Sequence, residues 1–295
     1  MLPSHENPLS RLASKSLIVA AALTFTYFLV ELFGGIFTGS LALLADSSHM
    51  AGDFLSLVFA WSASYLARRP TNLVKTYGYH RVEVLAALVN VMTLWVISGV
   101  IIANAIGRLK NPPLVLAGPM TAIAAIGLVI NLICAVILSK QSKANLNVRG
   151  AYLHVLSDAL GSVGAIGGGL WMRRTGNFVA DPIVSGFICM LIILSSLKLM
   201  ASSLNILLEG VPPHLSVAEI KQAILAINGV EEIHDLHVWS MGSGLDMLSG
   251  HVLIAKSNSH DSCEIIEEVN AVLREKFGIE HATLQAEIKS EEQKN

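Results

Sequence analysis

The chain has 295 residues, of which 53% are hydrophobic and only 14% are charged. A soluble globular protein carries about a quarter charged residues, so the composition argues against an ordinary soluble domain. The formal net charge of −2 gives no basic face for nucleic acid, and the 3 cysteines form no CxxC pair, so neither a disulfide framework nor a thiolate zinc site is indicated.

Apolar runs of about 20 residues, the length that crosses a bilayer, recur along the first two thirds of the chain. The breaks between them carry turn residues such as Gly39 and the Asn111-Pro112-Pro113 sequence. Residues 1–15 are interpreted as a cytoplasmic segment, and the first apolar run as a retained helix rather than a signal peptide. We predict an all-α transport domain, residues 16–210, whose six spans lie near residues 16–37, 41–67, 80–108, 114–139, 147–172 and 178–207.

Lysine and arginine are distributed unevenly between the two ends of these spans. Nine lie on one side of the predicted bundle and four on the other. Since these residues concentrate in cytoplasmic loops, both termini are predicted to be cytoplasmic. The short form of the chain, without a histidine-rich loop between the fourth and fifth spans, favours a multi-pass protein of a bacterial inner (plasma) membrane.

From Val211 onward the charge rises and the apolar runs shorten. SVAEIKQAILAINGV and CEIIEEVNAVLREKF have helical spacing, whereas IHDLHVWSM, LSGHVLIA and HATLQAEI are typical of strands. The order is therefore αββαβ over residues 211–295. This order predicts a small α+β cytoplasmic domain of the ferredoxin or metallochaperone kind.

Two spans carry the same pair of polar side chains. His49 and Asp53 lie four residues apart in the second span, and His154 and Asp158 repeat this spacing in the fifth. On a helix, residues i and i+4 share one face. Two such helices can therefore offer two imidazoles and two carboxylates to one ion, which matches tetrahedral zinc coordination. The two carboxylates also balance the charge of a divalent cation.

The cost of placing these groups in a membrane supports an ion site. An aspartate at the centre of a bilayer costs about 3 kcal/mol on insertion scales. The alternative is a set of hydrogen bonds that only holds the helices together, but the duplicated motif favours the ion. Asp46, one turn before His49, either orients an imidazole, belongs to a proton path, or marks a helix start near the membrane surface.

The segments ADSSHMAGD, YGYHRVEVLAAL and HVLSD resemble the cation diffusion facilitator family, in particular its zinc-transporting branch, and the similarity runs over about residues 16–288. This resemblance implies a homodimeric antiporter that exchanges a divalent metal for protons, and not an enzyme. The residues themselves also favour zinc, because imidazole suits Zn²⁺ better than Mg²⁺ or Ca²⁺. We expect Zn²⁺ as substrate and regulatory ion, H⁺ as coupling ion, and the lipid bilayer but no nucleic acid as partner.

The same resemblance implies a regulatory metal site in the C-terminal domain, which would then sense metal and form the dimer. His234, His251 and Glu287 match ligand positions of the family, and His80, Gln285 and His281 are further candidates. At Gln285 some members have a histidine, so this chain departs from them. The resemblance also implies a charge interlock between Arg81 and Glu209, at the start of the third span and the end of the sixth.

Three other functions are alternatives to zinc efflux. A transporter mainly for Cd²⁺, Co²⁺ or Fe²⁺ has the same ligand spacing. An intramembrane metal-dependent hydrolase needs an open water position and a general base, yet no HExxH motif is present and four ligands would close the site. A metal-gated signalling protein needs an output domain, and no catalytic output domain is recognisable in the sequence.

Overall fold

The computed structural model describes residues 8–67, 71–142, 146–242, 244–255 and 262–288. Six long helices come first: α1 Pro8–Thr38, α2 Leu41–Ala67, α3 Arg81–Lys110, α4 Ala117–Ser142, α5 Leu146–Thr175 and α6 Ala180–Leu207. Each coincides with one predicted span. The helix α1 begins eight residues before the predicted start of its span, because polar residues with good helix propensity continue the helix, and proline is well tolerated at the first helical position. Residues 1–7 of the predicted N-terminal segment, and the last residues of the predicted C-terminal domain, 289–295, lie outside the described residues.

Within the described residues, five helices are long and apolar enough to cross a membrane: Val19–Thr38 of α1, α3, Ala117–Ser139 of α4, Tyr152–Thr175 of α5, and α6. The helix α2, which contains Asp46, His49 and Asp53, is not among them. Its 27 residues are nevertheless about 40 Å long at 1.5 Å per residue, enough for a bilayer core of about 30 Å. The fold is therefore a helical membrane domain with five to six apolar helices.

The chain divides into two compact units, Met1–Val58 with Asn90–Leu197, and Phe59–Val89 with Lys198–Asn295. In the first unit, apolar side chains from the start of α2 and from α3, α4, α5 and α6 form the main core. Its members include Leu43, Leu94, Met120, Met172 and Ile188. The Trp95 indole of α3 also donates a hydrogen bond of 2.7 Å to the Ser196 hydroxyl of α6. These contacts pack the start of α2 together with α3, α4, α5 and α6.

The second unit contains the α+β domain, with α7 Val217–Leu225, β1 Val230–Ser240, β2 Asp246–Ile254, α8 Ser262–Phe277 and β3 His281–Ile288. The predicted αββαβ order is confirmed. The strands lie in the order β1-β2-β3, with β1 antiparallel and β3 parallel to the central β2. A parallel pair needs a crossover, and α8 provides it. Ile224, Ile233, Leu248, Val252 and Val269 lie in the apolar core between the helices and the sheet.

A β-bulge interrupts the alternation of strand β1. Ile233 and Val238 are both buried although they lie five residues apart, an odd spacing that a regular strand would place on opposite faces. The pairing with β2 shifts between His234 and His237, and Asp235 adopts a positive φ of 51°. The bulge adds the extra residue that restores the buried face. It also turns Asp235 toward its histidine neighbours.

Candidate metal-transport site

The position of α2 is fixed by a side chain from another helix. Asp181 of α6 is fully buried. Its carboxylate accepts hydrogen bonds from the Ser40 hydroxyl at 2.6 Å, from the Leu41 N–H at 2.9 Å and from the Ala42 N–H at 3.2 Å. The first N–H groups of a helix have no partner within the helix, so Asp181 serves as the cap of α2.

Arg108 of α3 completes this polar cluster. Its Nη1 donates a hydrogen bond of 2.6 Å to the Gly39 carbonyl and lies 3.7 Å from Oδ2 of Asp181. A buried carboxylate is stabilised by a cation and by several donors, and Asp181 has both. The start of α2 is therefore held to α3 and α6, and the metal-ligand candidates follow two turns later.

The structure brings together the four side chains of the two HxxxD motifs. His154 Nε2 lies 2.9 Å from Asp53 Oδ2 and 3.7 Å from Asp158 Oδ2. His49 Nε2 lies 4.0 Å from Asp53 Oδ2 and 3.7 Å from Asp158 Oδ1. The ligand atoms of His49, Asp53 and His154 all fall within 4.8 Å of one another. Helices α2 and α5 therefore present two imidazoles and two carboxylates to one small volume.

The four side chains of the site differ in their exposure. The side chains of Asp53 and His154 are 39% and 40% exposed, whereas Asp158 is 5% exposed. Asp53 and His154 reach a cavity of about 760 Å³, which we call the vestibule. Its walls are mostly apolar and come from α1, α2, α4 and α5: Ala20, Ala21, Ala22, Thr24, Phe25, Phe28, Met50, Phe54, Ser56, Leu138 and Val155. An ion in the vestibule would meet Asp53 and His154 first.

Asp46 belongs to a second group of polar residues, which was not predicted from the sequence. It is buried and faces Glu31 of α1. Glu31 is itself fully buried, and its Oε1 accepts a hydrogen bond of 2.6 Å from the Tyr27 hydroxyl. Asp46 thus lies within the bundle, while the start of α2 is capped by Asp181.

The tail brings together His234, His251 and Glu287, as the resemblance implies. His234 and His251 are paired in register across β1 and β2, and their ring centroids are 5.2 Å apart. His234 Nε2 lies 3.1 Å, and His251 Nδ1 2.7 Å, from the two carboxylate oxygens of Glu287. The hydrogen bonds from His251 and then His234 lower the pKa of Glu287 below its ordinary value of 4.5. These three side chains offer two nitrogens and an oxygen that suit a zinc ion.

The other candidates in this region differ in position. Gln285 is paired with His251 across β2 and β3, and its amide donates a hydrogen bond of 3.4 Å to Glu287. His281 lies opposite Met247, six residues before Glu287 on β3. At about 3.3 Å per strand residue, this separates His281 from Glu287 by about 20 Å along the strand. Among the described residues, His80 belongs to neither group of potential ligands.

The predicted charge pair is formed. Arg81 Nη2 donates a hydrogen bond of 2.8 Å to Glu209 Oε1. Glu209 follows the end of α6 and adopts a positive φ of 58°, an uncommon conformation for a residue with a side chain. The pair therefore links the first residue of α3 to the turn from which the tail starts.

Three residues with structural or chemical roles were not singled out from the sequence: Tyr27, Glu31 and Asp181. A signal existed for Glu31, since a carboxylate within a membrane helix is itself a candidate functional residue. Asp181 stands in the first turn of α6, where an acidic residue is common, so its role as a cap for α2 required the tertiary structure.

Comparison with known families accounts for nearly the whole chain. Residues 17–208 match the cation efflux transmembrane domain, and residues 212–289 match the cytoplasmic domain of cation efflux proteins. The chain belongs to the cation efflux family. This result confirms the predicted membership of the cation diffusion facilitators, and with it a transporter of metal cations rather than an enzyme.

Three relatives are similar over most of their length. The metal cation efflux system protein CzcD of Cupriavidus metallidurans is 40% identical over 285 residues, which cover 97% of this chain and 89% of CzcD. The cadmium, cobalt and zinc/H(+)-K(+) antiporter of Bacillus subtilis is 41% identical, with 95% and 91% covered. The zinc transporter ZitB of Escherichia coli is 40% identical, with 97% and 93% covered. The chain is therefore a multi-pass membrane protein that transports metal cations.

Proposed function

We propose that this protein exports Zn²⁺ in exchange for H⁺, and that His49, Asp53, His154 and Asp158 bind the transported ion. The observation that carries the proposal is the convergence of the four side chains from α2 and α5. All three of the relatives compared have names that describe metal cation efflux or zinc transport, and this agrees with the proposal.

The dimensions of the site suit zinc. Nitrogen and oxygen ligands lie about 2.0–2.2 Å from Zn²⁺, so ligand atoms at the corners of a tetrahedron are about 3.3 Å apart. The separations between the imidazole nitrogens and the carboxylate oxygens run from 2.9 to 4.0 Å. The ligand atoms of His49, Asp53 and His154 lie within 4.8 Å of one another, and Asp158 would have to move closer to complete the tetrahedron. Two carboxylates and two neutral imidazoles around Zn²⁺ have no net charge, which favours the ion in a membrane interior.

Proton coupling follows from the ligand chemistry. Metal ligands must be deprotonated to bind, so protons and Zn²⁺ compete for the same atoms. In an alternating-access cycle, the ion enters through the vestibule and displaces protons from the ligands. After the bundle opens to the other side, protons from that compartment displace the ion. The proton gradient then drives the export.

The C-terminal domain is proposed to regulate this cycle. His234, His251 and Glu287 would bind a second zinc ion when cytoplasmic zinc is high, and the tail would hold two subunits together as a homodimer. The match to the family's cytoplasmic domain supports the dimer. In this proposal both termini lie in the cytoplasm, and the protein lies in a bacterial inner membrane.

A second candidate function is transport of Cd²⁺ or Co²⁺. The antiporter of Bacillus subtilis is named for cadmium and cobalt as well as zinc. Imidazole and carboxylate ligands accept all three ions, so we expect zinc to compete with cadmium and cobalt at the same site.

The test is zinc flux into proteoliposomes across an imposed pH gradient. Asp158→Ala removes one of the four ligands and should lower zinc affinity at least about a hundredfold, since loss of a partner outside the ligand set already costs about 10–100-fold. Ser157→Ala is the matched control, because Ser157 is exposed and its hydroxyl bonds the Leu153 carbonyl of its own helix. Zinc flux that is indifferent to pH would contradict antiport. Unchanged affinity in Asp158→Ala would contradict the ligand assignment.

A further inference from the structure

The membrane bundle holds a buried acidic pair that the proposed metal ligands do not include. We propose that Glu31 of α1, paired with Asp46 of α2, carries protons to the metal site and couples their movement to metal release. The inference rests on the proposed exchange of metal for protons and adds a proton path to it. Four features of the structure support it.

The first feature is the environment of Glu31. Its side chain is fully buried, and Oε1 accepts a hydrogen bond from the Tyr27 hydroxyl at 2.6 Å. Oε2 is buried without a donor among the described residues. Asp46 is also buried, and the two carboxyl groups act on each other's charge. Two ionised carboxylates close together in a buried site repel each other, so a proton on one of them is favoured.

The second feature is the link to the metal site. The Asp46 carboxylate lies against α5 at Gly161, where an added methyl group would be only 3.5 Å from Oδ1. Gly161 is three residues, about one turn, after Asp158. The buried pair and the metal ligands are therefore separated by about one helical turn.

The third feature is direction. The vestibule is lined by Ala20 to Phe28 of α1 and by Leu138 near the end of α4. Glu31 lies further along α1, and the Tyr27 hydroxyl that bonds it also lies 3.3 Å from the Ile123 carbonyl, in the first half of α4. On both α1 and α4, the residues near the acidic pair are separated along the helix from those that line the vestibule. The acidic pair therefore lies toward the end of the bundle away from the vestibule. Metal and protons would approach the ligands from different ends.

The fourth feature is the set of charges around the pair. The titratable groups that act on Glu31 are Tyr27 on its own helix, Asp46 on α2 and Asp158 on α5, and all of them become neutral or negative. His49 also acts on Asp46, and it is the one group in this set that becomes a cation. The helix α4 contributes the Ile123 carbonyl, another acceptor. A proton on Glu31 relieves the repulsion among these groups. When the metal ion leaves, one proton passes from the pair to the ligand set, and one proton from the compartment beyond the pair replaces it.

Glu31→Gln tests the relay. Glutamine keeps the shape and the acceptor for Tyr27 but cannot carry a proton. In proteoliposomes, uphill zinc transport driven by a pH gradient should fall about a hundredfold, the lower end of the cost of losing a positioned proton-transfer group. Zinc–zinc counterflow across the same membrane needs no net proton movement and should persist. Glu31→Asp keeps a carboxyl group and should restore part of the driven transport.

Two further measurements separate a relay from a structural role. Infrared difference spectra should show a protonated-carboxyl band in the wild type that changes on zinc binding and is missing in Glu31→Gln. Thr26→Ala, an exposed change on the same helix whose hydroxyl bonds the Ala22 carbonyl, should behave as wild type. Equal loss of counterflow and driven transport in Glu31→Gln would overturn the relay, as would full driven transport.

The two proposals fail in different ways. A wild-type protein whose zinc transport ignores the pH gradient would refute proton exchange itself. A wild-type protein that responds to the gradient, together with a Glu31→Gln variant that responds equally well, would refute only the relay.

Discussion

At the scale of single residues, Asp181 shows how one buried carboxylate can organise a functional helix. It caps α2 from α6 through three hydrogen bonds and is paired with Arg108. None of these partners is near it in sequence. Glu287 has a similar role in the tail, where it holds two histidines at once. Both carboxylates make their neighbours' positions depend on one charged group.

Asp181→Ala should destabilise the protein by about 2–4 kcal/mol, because the start of α2 loses its cap and Arg108 loses its partner. Thermal unfolding of the purified protein in detergent measures the effect. Asn177→Ala is the control, since the exposed Asn177 side chain accepts a hydrogen bond from Val179 just before α6 and its loss should cost about 1 kcal/mol or less. An unfolding temperature equal to that of the wild type would show that Asp181 does not hold α2.

Glu287→Gln should destabilise the tail in a pH-dependent manner. The pKa of Glu287 is lowered by His251 and His234, so its carboxylate stabilises the fold above the ordinary value of 4.5. That contribution is lost as the pH falls through the lowered pKa. The difference between variant and wild type should be present near neutral pH and disappear in acid. Hydrogen exchange of the β2 and β3 peptides, corrected for intrinsic rates, measures this difference. A difference between variant and wild type that stays the same at every pH would contradict the prediction.

At the scale of elements, periodicity was sufficient to predict the helices and strands and their order along the chain. The two details that it did not predict have physical causes. The bulge in β1 depends on the left-handed backbone of Asp235, which no alternation pattern contains. The early start of α1 depends on polar residues that form a helix beyond the apolar run, where hydropathy gives no signal.

Gly127→Ala tests the contact between α1 and α4. A methyl group at this position would overlap the Tyr27 hydroxyl, so Tyr27 would have to move away from Glu31. Overpacking of this kind costs about 1–3 kcal/mol. Gly118→Ala, on the same helix but with open space around it, should be neutral or stabilising by up to about 1 kcal/mol. Equal unfolding temperatures for the two variants would contradict close packing at Tyr27.

At the scale of the whole molecule, the sequence was sufficient to predict the family, the class of protein and the residues that converge between α2 and α5. The HxxxD spacing defines one face on each helix. The two faces can offer four ligands to one ion only if they lie opposite each other. The sequence could not show that the buried acidic pair continues this polar region, because Glu31 and Asp46 come from different helices and have no common spacing. The distance of His281 from Glu287, in contrast, follows from their six-residue spacing on one predicted strand.

Glu209→Ala should lower transport while leaving the zinc affinity of the HxxxD site intact. The Arg81–Glu209 pair joins the start of α3 to the turn that leads into the tail, far along the chain from the ligands. Flux and equilibrium zinc binding, measured on the same preparation, separate the two effects. The double variant Arg81→Glu with Glu209→Arg restores opposite charges and should recover part of the flux. A fall in affinity in Glu209→Ala would assign Glu209 to the binding site itself.

The cap at the start of α2 makes this helix a lever with a fixed pivot. Asp53 is twelve residues from Leu41, about 18 Å along the axis, whereas Asp46 is five residues, about 7.5 Å, from it. A tilt of about 10° about the pivot would therefore move Asp53 by about 3 Å and Asp46 by little more than about 1 Å. The first displacement exceeds a zinc–ligand bond of about 2 Å. One small rotation would thus move the proposed metal ligand more than twice as far as Asp46 of the acidic pair.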